Sequence, residues 1–382
     1  MGSFGGSFAK MTATDLGVEA SKAAIASSGV DPAAIGASIW GSVAQTSTDA
    51  PYMGRHVGLR SGMAIESSAI TLNRLCGSGF QSVVSAAEQI MLGQADIVLA
   101  GGAESMSQSP LSVYGHAVRF GHRLGMDLQL QDTLWAALTD SYAQIPMGLT
   151  AENLAEKYGV TREDADAYGL GSQQRWLAAH EAGIFGREVA PVTVKGKKGP
   201  VSVEEDETPR RNASAESMAK LPAVFKKGGT VTAANASGIG DGAAALIIAS
   251  EDAVKEHGLT PLARVASWSV AGVEPTEMGI GPCPAVRAAL EAAGATLADV
   301  DRFEVNEAFA SQFLAVQREL GLDMEKTNVN GGAIAMAHPL GASGARILTH
   351  LTHRMVDEGL NRTVGTACIG GGQGIAVVLE RA

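Results

Sequence analysis

Two cysteines and one histidine stand in stretches of small residues that have little packing use for them. Cys76 lies in Asn73-Arg74-Leu75-Cys76-Gly77-Ser78-Gly79-Phe80. A β-like run (Ala69, Ile70, Leu72) precedes it, and a helical stripe of Phe80, Val83, Val84, Ala87, Ile90 and Met91 follows. The glycines permit a sharp strand-to-helix turn. A thiol there meets the free N–H groups and positive end of a helix, which favours thiolate. Taken alone, Cys76 also reads as a small buried hydrophobe. His338 sits within Gly331-Gly332-Ala333-Ile334-Ala335-Met336-Ala337-His338-Pro339-Leu340-Gly341-Ala342-Ser343-Gly344, fixed by its proline and suited to act as a base. Cys368 opens Cys368-Ile369-Gly370-Gly371-Gly372-Gln373-Gly374, where bare N–H groups can approach a developing oxyanion and the thiol can carry protons. Asn306-Glu307 falls at the C-terminal end of a strand, the edge where open α/β sheets bind ligands, though Asn306 also reads as a helix N-cap. One thiol made nucleophilic by a histidine and a second acting as acid and base fit acyl transfer through a thioester. No metal-ligand spacing or nucleotide phosphate loop competes with that chemistry.

The elements that must position these groups alternate. Strands are expected near 38–43, 69–72, 96–100, 230–232, 243–249, 262–270, 303–305, 363–367 and 375–379. Helices fall between them at 14–28 (capped by Thr14 or Asp15), 161–181, 285–293, 308–320 and 342–357. This alternation predicts a largely parallel sheet with helices on both faces. The first and last thirds share this plan, a hint of duplication. Between about 107 and 230 the periodicity weakens, and Lys195, Lys197, Lys198, Arg210, Arg211, Lys220, Lys226 and Lys227 concentrate in a chain of net charge −11. That region reads either as a solvated loop or as a source of cations for an anionic ligand. The 382 residues exceed one ordinary core. The acidic balance speaks against general nucleic-acid binding, and no apolar run approaches the ~20 residues that span a bilayer. Three scattered cysteines and no evident signal or peroxisomal address suggest a reducing, cytoplasmic setting.

The four motifs, in this order and spacing, resemble the signatures of thiolases, and the resemblance runs along nearly the whole chain. Thr150-Ala151-Glu152-Asn153 and Ser172-Gln173-Gln174-Arg175-Trp176 look closest to mitochondrial-type 3-ketoacyl-CoA thiolases and their bacterial relatives. The resemblance implies two duplicated α/β halves, each with a five-stranded mixed sheet, and an inserted loop domain. Residues 1–106 with 231–258 would form the first half, 107–230 the loop domain and 259–382 the second half. It implies an acyl-CoA C-acyltransferase of fatty acid metabolism, with coenzyme A as co-substrate, no tightly bound cofactor, and a homodimer or homotetramer. The setting would be the mitochondrial matrix if the source is eukaryotic. Cys76 would take the acyl group, His338 would activate it and Cys368 would shuttle protons. Asn306 would hold the water of one oxyanion hole, with His338, while the amides of Cys76 and Gly370 form the other. Arg210, Ser217, Met218, Phe225, Ala233 and Ser237 would contact coenzyme A, and Met147, Met278 and Phe309 would wall the acyl pocket. Cys368 argues against the condensing synthases of the same fold, which lack a second catalytic cysteine. A catalytically impaired coenzyme A-binding protein is the alternative.

Two departures from the family pattern carry expectations. The sequence begins inside the turn after the family's first strand, as a shortened reading frame would, and that strand is expected to be central, beside the one carrying the nucleophile. Without it, two neighbouring strands would lack partners and stability would fall. Ala337 stands where the family has glycine, so a position needing positive φ would shift His338.

Overall fold

The computed structural model describes residues 1–382. Its first sheet contains β1 (Gly2–Ser3), β2 (Ala37–Gly41), β3 (Ser68–Leu72), β4 (Ile97–Ser105) and β5 (Gly240–Ala249), in the spatial order β3-β2-β4-β5-β1. Strands β3, β2 and β4 run parallel, and β5 returns antiparallel. The second sheet contains β6 (Arg264–Gly272), β7 (Arg302–Val305), β8 (Arg362–Ile369) and β9 (Gln373–Glu380), in the order β7-β8-β9-β6. Beyond β7, Thr327 makes one isolated parallel bridge to Phe303.

The halves therefore repeat one plan, but the second sheet has four strands where five were expected. Asn328 supplies the reason. Its φ of 48° turns the chain away, and its amide takes a fifth strand's place, accepting from Val305 N–H and donating to Val305 C=O. The place of the first strand also differs from expectation. β2 pairs directly with β4 from Ala37↔Val98 to Gly41↔Gly102, so no central gap exists. By the repeated order, β1 is the counterpart of β6, at the edge beside β5 and far from β3. It pairs through Gly2↔Asp241 and Ser3↔Gly240.

Seven helices matter here: α1 (Ala13–Ser28), α2 (Ser78–Met91), α3 (Met147–Tyr158), α4 (Arg162–Glu181), α5 (Pro282–Ala292), α6 (Ala310–Leu320) and α7 (Leu340–Glu358). Thr12 caps α1 in a reciprocal box with Asp15, ahead of the expected Thr14, and Gly29 closes it at φ 72°. Helices α2 and α7 lie between the two sheets. Phe80, Val83 and Val84 meet Ile347, Leu348 and Leu351, with Ile39 and Val98 on one side and Ile369 and Val377 on the other. They approach closely because Gly79 and Gly344 have no side chain: a Cβ on Gly344 would fall 2.2 Å from the Phe80 nitrogen. Helix α1 covers the outer face of the first sheet, and α5 and α6 that of the second. Residues 230–232 form no strand; the Glu152 carboxylate accepts from the Thr230 and Val231 amides and takes the place of a ladder. No helix is long and apolar enough to cross a membrane.

Candidate active site

The Cys76 turn is built from short-range hydrogen bonds. Asn73 Oδ1 accepts from Leu75 N–H at 2.8 Å, and Ser78 Oγ accepts from Arg74 N–H at 2.8 Å while donating to Leu75 C=O. These hold Leu75 at φ 46°. Only four non-glycine residues have positive φ, and two of them, Leu75 and Ala337, immediately precede Cys76 and His338. Such geometry costs about 1–3 kcal/mol per residue and persists only where the surroundings impose it.

His338 is buried, its amide bonded to Gly238 C=O at 2.9 Å. Ser343 Oγ donates to Pro339 C=O, so its lone pairs face His338 Nδ1 at 2.5 Å and accept the ring N–H. That assigns the proton to Nδ1 and leaves Nε2 as acceptor, 3.3 Å from Asn306 Nδ2. Asn306 is not an N-cap; Phe309 occupies that position of α6. The Asn306 amide donates to Thr366 C=O, which fixes the residue just past the end of β7, alongside β8.

Cys368 is the last but one residue of β8, fully buried, and the Gly370 amide two residues on faces the Cys76 sulfur and favours its thiolate. Leu134, Met106 and Leu340 close an apolar collar around Cys76. Burial pushes the Cys76 thiol up to about 11, outweighing the Gly370 amide, and raises Cys368 further. Burial therefore favours the resting thiol and opposes the helix end that favours thiolate. Burial also lowers His338 to about 4, with the Arg346 charge adding to the effect. At neutral pH the site holds a thiol and a neutral imidazole.

The proposed coenzyme A contacts separate into two groups. Arg210, Ser217 and Met218 line a cleft of about 380 Å³ with Gln173, Arg211 and Ala234. Phe225 and Phe309 pack edge to face at 6.2 Å, and Phe225 presses on Gly148 beside Met147. Met147 in turn covers Gly370, whose Cβ would fall 2.3 Å from its methyl group. Ala233 is exposed next to the cleft residue Ala234, and Ser237 is tied through its amide to Ala308 C=O. Met278 is buried, and its neighbour Gly279 packs on Gln312 of α6 and Leu154 of α3. Of the basic cluster, Arg210 and Arg211 reach the cleft, while Lys220 and Lys226 pair with Glu216 and Glu156.

The thiolase N-terminal domain matches residues 1–252 and the thiolase C-terminal domain residues 259–381. The chain belongs to the thiolase family. It is 57% identical over 379 residues to the mitochondrial 3-ketoacyl-CoA thiolase of Mus musculus, covering 99% of this chain and 95% of that protein. The acetyl-CoA acetyltransferase of Escherichia coli (strain K12) is 49% identical over 385 residues, covering 100% and 96%. The crystal structure of human mitochondrial 3-ketoacyl-CoA thiolase in complex with CoA superposes with a TM-score of 0.97 at 54% identity, covering 100% of this chain and 95% of that one.

Two carboxylates near the site received no role from the sequence, Glu307 standing there only as the neighbour of Asn306. Glu307 accepts from Tyr168 Oη and Ser172 Oγ of α4, from Asn328 Nδ2 and from Ile334 N–H. Glu104 is the other, and its signal was a lone carboxylate ending an otherwise apolar strand.

The expectation for Ala337 sharpens within this thiolase. At φ 69° and ψ 171° it occupies a region that alanine rarely enters. Ala337→Gly should relieve about 1–3 kcal/mol of strain, partly offset by about 0.5–1 kcal/mol of glycine chain entropy. It should raise kcat about two- to tenfold by relaxing His338. Steady-state kinetics and thermal melts check this; an unchanged kcat with a lower Tm would show that the strain is harmless.

Proposed function

We propose that Cys76 is the acyl-accepting nucleophile of an acyl-CoA C-acyltransferase, with His338 as its base and Cys368 as the second acid and base. Family membership carries the activity: thiolytic cleavage of 3-ketoacyl-CoA by coenzyme A, or the reverse Claisen condensation. In cleavage, His338 Nε2 takes the Cys76 proton as sulfur bonds to the ketone carbon. The Cα–Cβ bond then breaks, and the departing acetyl-CoA carbanion takes a proton from Cys368. The Cys368 thiolate next removes the proton of incoming coenzyme A, whose sulfur attacks acyl-Cys76, and the proton on His338 returns to Cys76. Asn306, with His338, binds one oxyanion through a water, and the Cys76 and Gly370 amides bind the other.

The observation that best supports this reading is the Gly370 amide on the Cys76 sulfur, which joins motifs from opposite halves of the chain. Arg210, Ser217, Met218, Phe225, Ala233 and Ser237 would follow coenzyme A from its nucleotide to its pantetheine arm, and Met147, Met278 and Phe309 would bound the acyl group. The matching division is 1–106 with 231–258, 107–230 and 259–382. Nothing in the geometry favours the impaired alternative.

We assign a homodimer or homotetramer on the open edge of β3, where Ile65 and Ile70 are exposed, and on the exposed Phe120 and Leu124 of the inserted region. A role in fatty acid metabolism follows from the likeness to 3-ketoacyl-CoA thiolases, and a cytoplasmic or mitochondrial-matrix setting suits three free thiols.

Intact mass after mixing with acetyl-CoA tests the central assignment. Wild type should gain one acetyl group and Cys76→Ala none. A folded wild type that stays unmodified would remove Cys76 from its role.

A further inference from the structure

Glu104 is wholly buried near the end of β4, and its carboxylate accepts three backbone N–H groups from two segments. Val43 and Ala44, just after β2, donate at 3.0 and 2.9 Å; Gly341, in the first turn of α7, donates at 2.9 Å. Side chains at i and i+2 of a strand share a face, so Glu104 and Gly102 both look at α7. Gly102 admits the turn by having no side chain: a Cβ there would lie 1.8 Å from Gly341 C=O. Glu104 then grips the same residue through its N–H.

The neighbouring contacts give this grip its meaning. Gly341 follows His338-Pro339-Leu340, so its position sets that of the base. Gly41, at the head of the 41–44 segment, backs onto Ser78 of the Cys76 turn, 2.7 Å from where its Cβ would stand. A Cβ on Gly341 would in turn lie 2.7 Å from Gly41 C=O. The 41–44 segment is thus wedged between the nucleophile's turn in one half and the base's turn in the other. One carboxylate ties the two together.

We propose that Glu104 is a positioning residue that holds His338 at its working distance from Cys76 by clamping the 43–44 and 341 backbones as a three-acceptor anion. This rests on the assignment of Cys76 and His338 as nucleophile and base. A neutral carboxyl or amide cannot do the same, because its O–H or N–H faces donors instead of accepting from them. Burial raises the Glu104 carboxyl to about 7 against its three amide donors, with the Asp241 charge adding to the rise. The titratable groups facing it are Asp241 on β5 and Cys76 at the turn. β2 presents only amides, α7 presents the Gly341 amide with His338 three residues upstream, and α1, packed on the same strand, has its Asp15 paired with Arg60. Protonation below about 7 releases the clamp, so activity supported by the anion is lost as pH falls through that value.

The test is the rate of Cys76 acetylation by acetyl-CoA, followed by intact mass from pH 5.5 to 8.5, in wild type, Glu104→Gln and Glu104→Asp. Wild type should show an inflection near 7, which neither His338 (about 4) nor Cys76 (about 11) supplies. Glu104→Gln should be slower by about 10- to 100-fold at pH 8, without that inflection, while its coenzyme A Kd stays within about twofold. Glu104→Asp keeps the charge and should recover part of the rate, which shields the result from a folding defect in the amide variant. An acetylation rate and pH profile of Glu104→Gln equal to wild type would overturn the proposal. So would equal losses in Glu104→Asp and Glu104→Gln. A wild type never acetylated at Cys76 would remove the catalytic assignment, and this proposal with it.

Discussion

His338→Ala should slow acetylation of Cys76 by ~10²–10⁴-fold, and the residual rate should climb about tenfold per pH unit. Burial holds the Cys76 thiol at about 11, so only ~10⁻⁴ of it is thiolate at pH 7. In the proposed mechanism the wild-type enzyme avoids that penalty by moving the proton to His338 during attack. Ser343 Oγ accepts a hydrogen bond from His338 Nδ1–H, Asn306 meets Nε2, and burial keeps the ring neutral above about 4. Removing the ring leaves the small thiolate population as the sole nucleophile, and hydroxide restores it. The wild-type rate lacks that steep slope because thiol and imidazole hold one proton between them from about 4 to 11. Acetylation rates from pH 6 to 10 decide the matter. A variant within a few-fold of wild type at pH 7 would mean that another group takes the proton.

The second large effect concerns stability. Glu307→Ala should destabilise the fold by about 3–5 kcal/mol, because it strands the buried Tyr168 and Ser172 hydroxyls and the Ile334 amide, which have no other acceptor. The carboxylate is fully buried and gathers Tyr168 and Ser172 from α4, Asn328, and the Ile334 amide of the segment leading to His338, with the Arg175 guanidinium at 3.9 Å. It therefore ties the inserted region to the catalytic loop. Urea denaturation should show the lower stability, and limited proteolysis should cut within 107–230 faster. A wild-type denaturation midpoint would show that water or a shifted Arg175 replaces the carboxylate.

The sequence by itself determined the chemistry and the repeating plan. Cys76, His338 and Cys368 stand out because small residues adjoin them, which lets backbone come close to a reactive group, and Asn306 stands out by its place at the end of a strand. Strand and helix periods placed most elements, since burying one face imposes a spacing that any sheet or helix must obey. The reading failed where one side chain from a distant element replaces a backbone ladder. Asn328 satisfies Val305 and removes a fifth strand, and Glu152 does the same for 230–231. It failed again for the state of the thiol, because a turn at a helix start says nothing about the collar of Met106, Leu134 and Leu340 that dehydrates it. The edge position of β1, the meeting of the Gly370 amide with Cys76 and the grip of Glu104 on two halves are all long-range pairings. Only the tertiary structure decides them, since no local spacing records which distant backbone a carboxylate or an amide will meet.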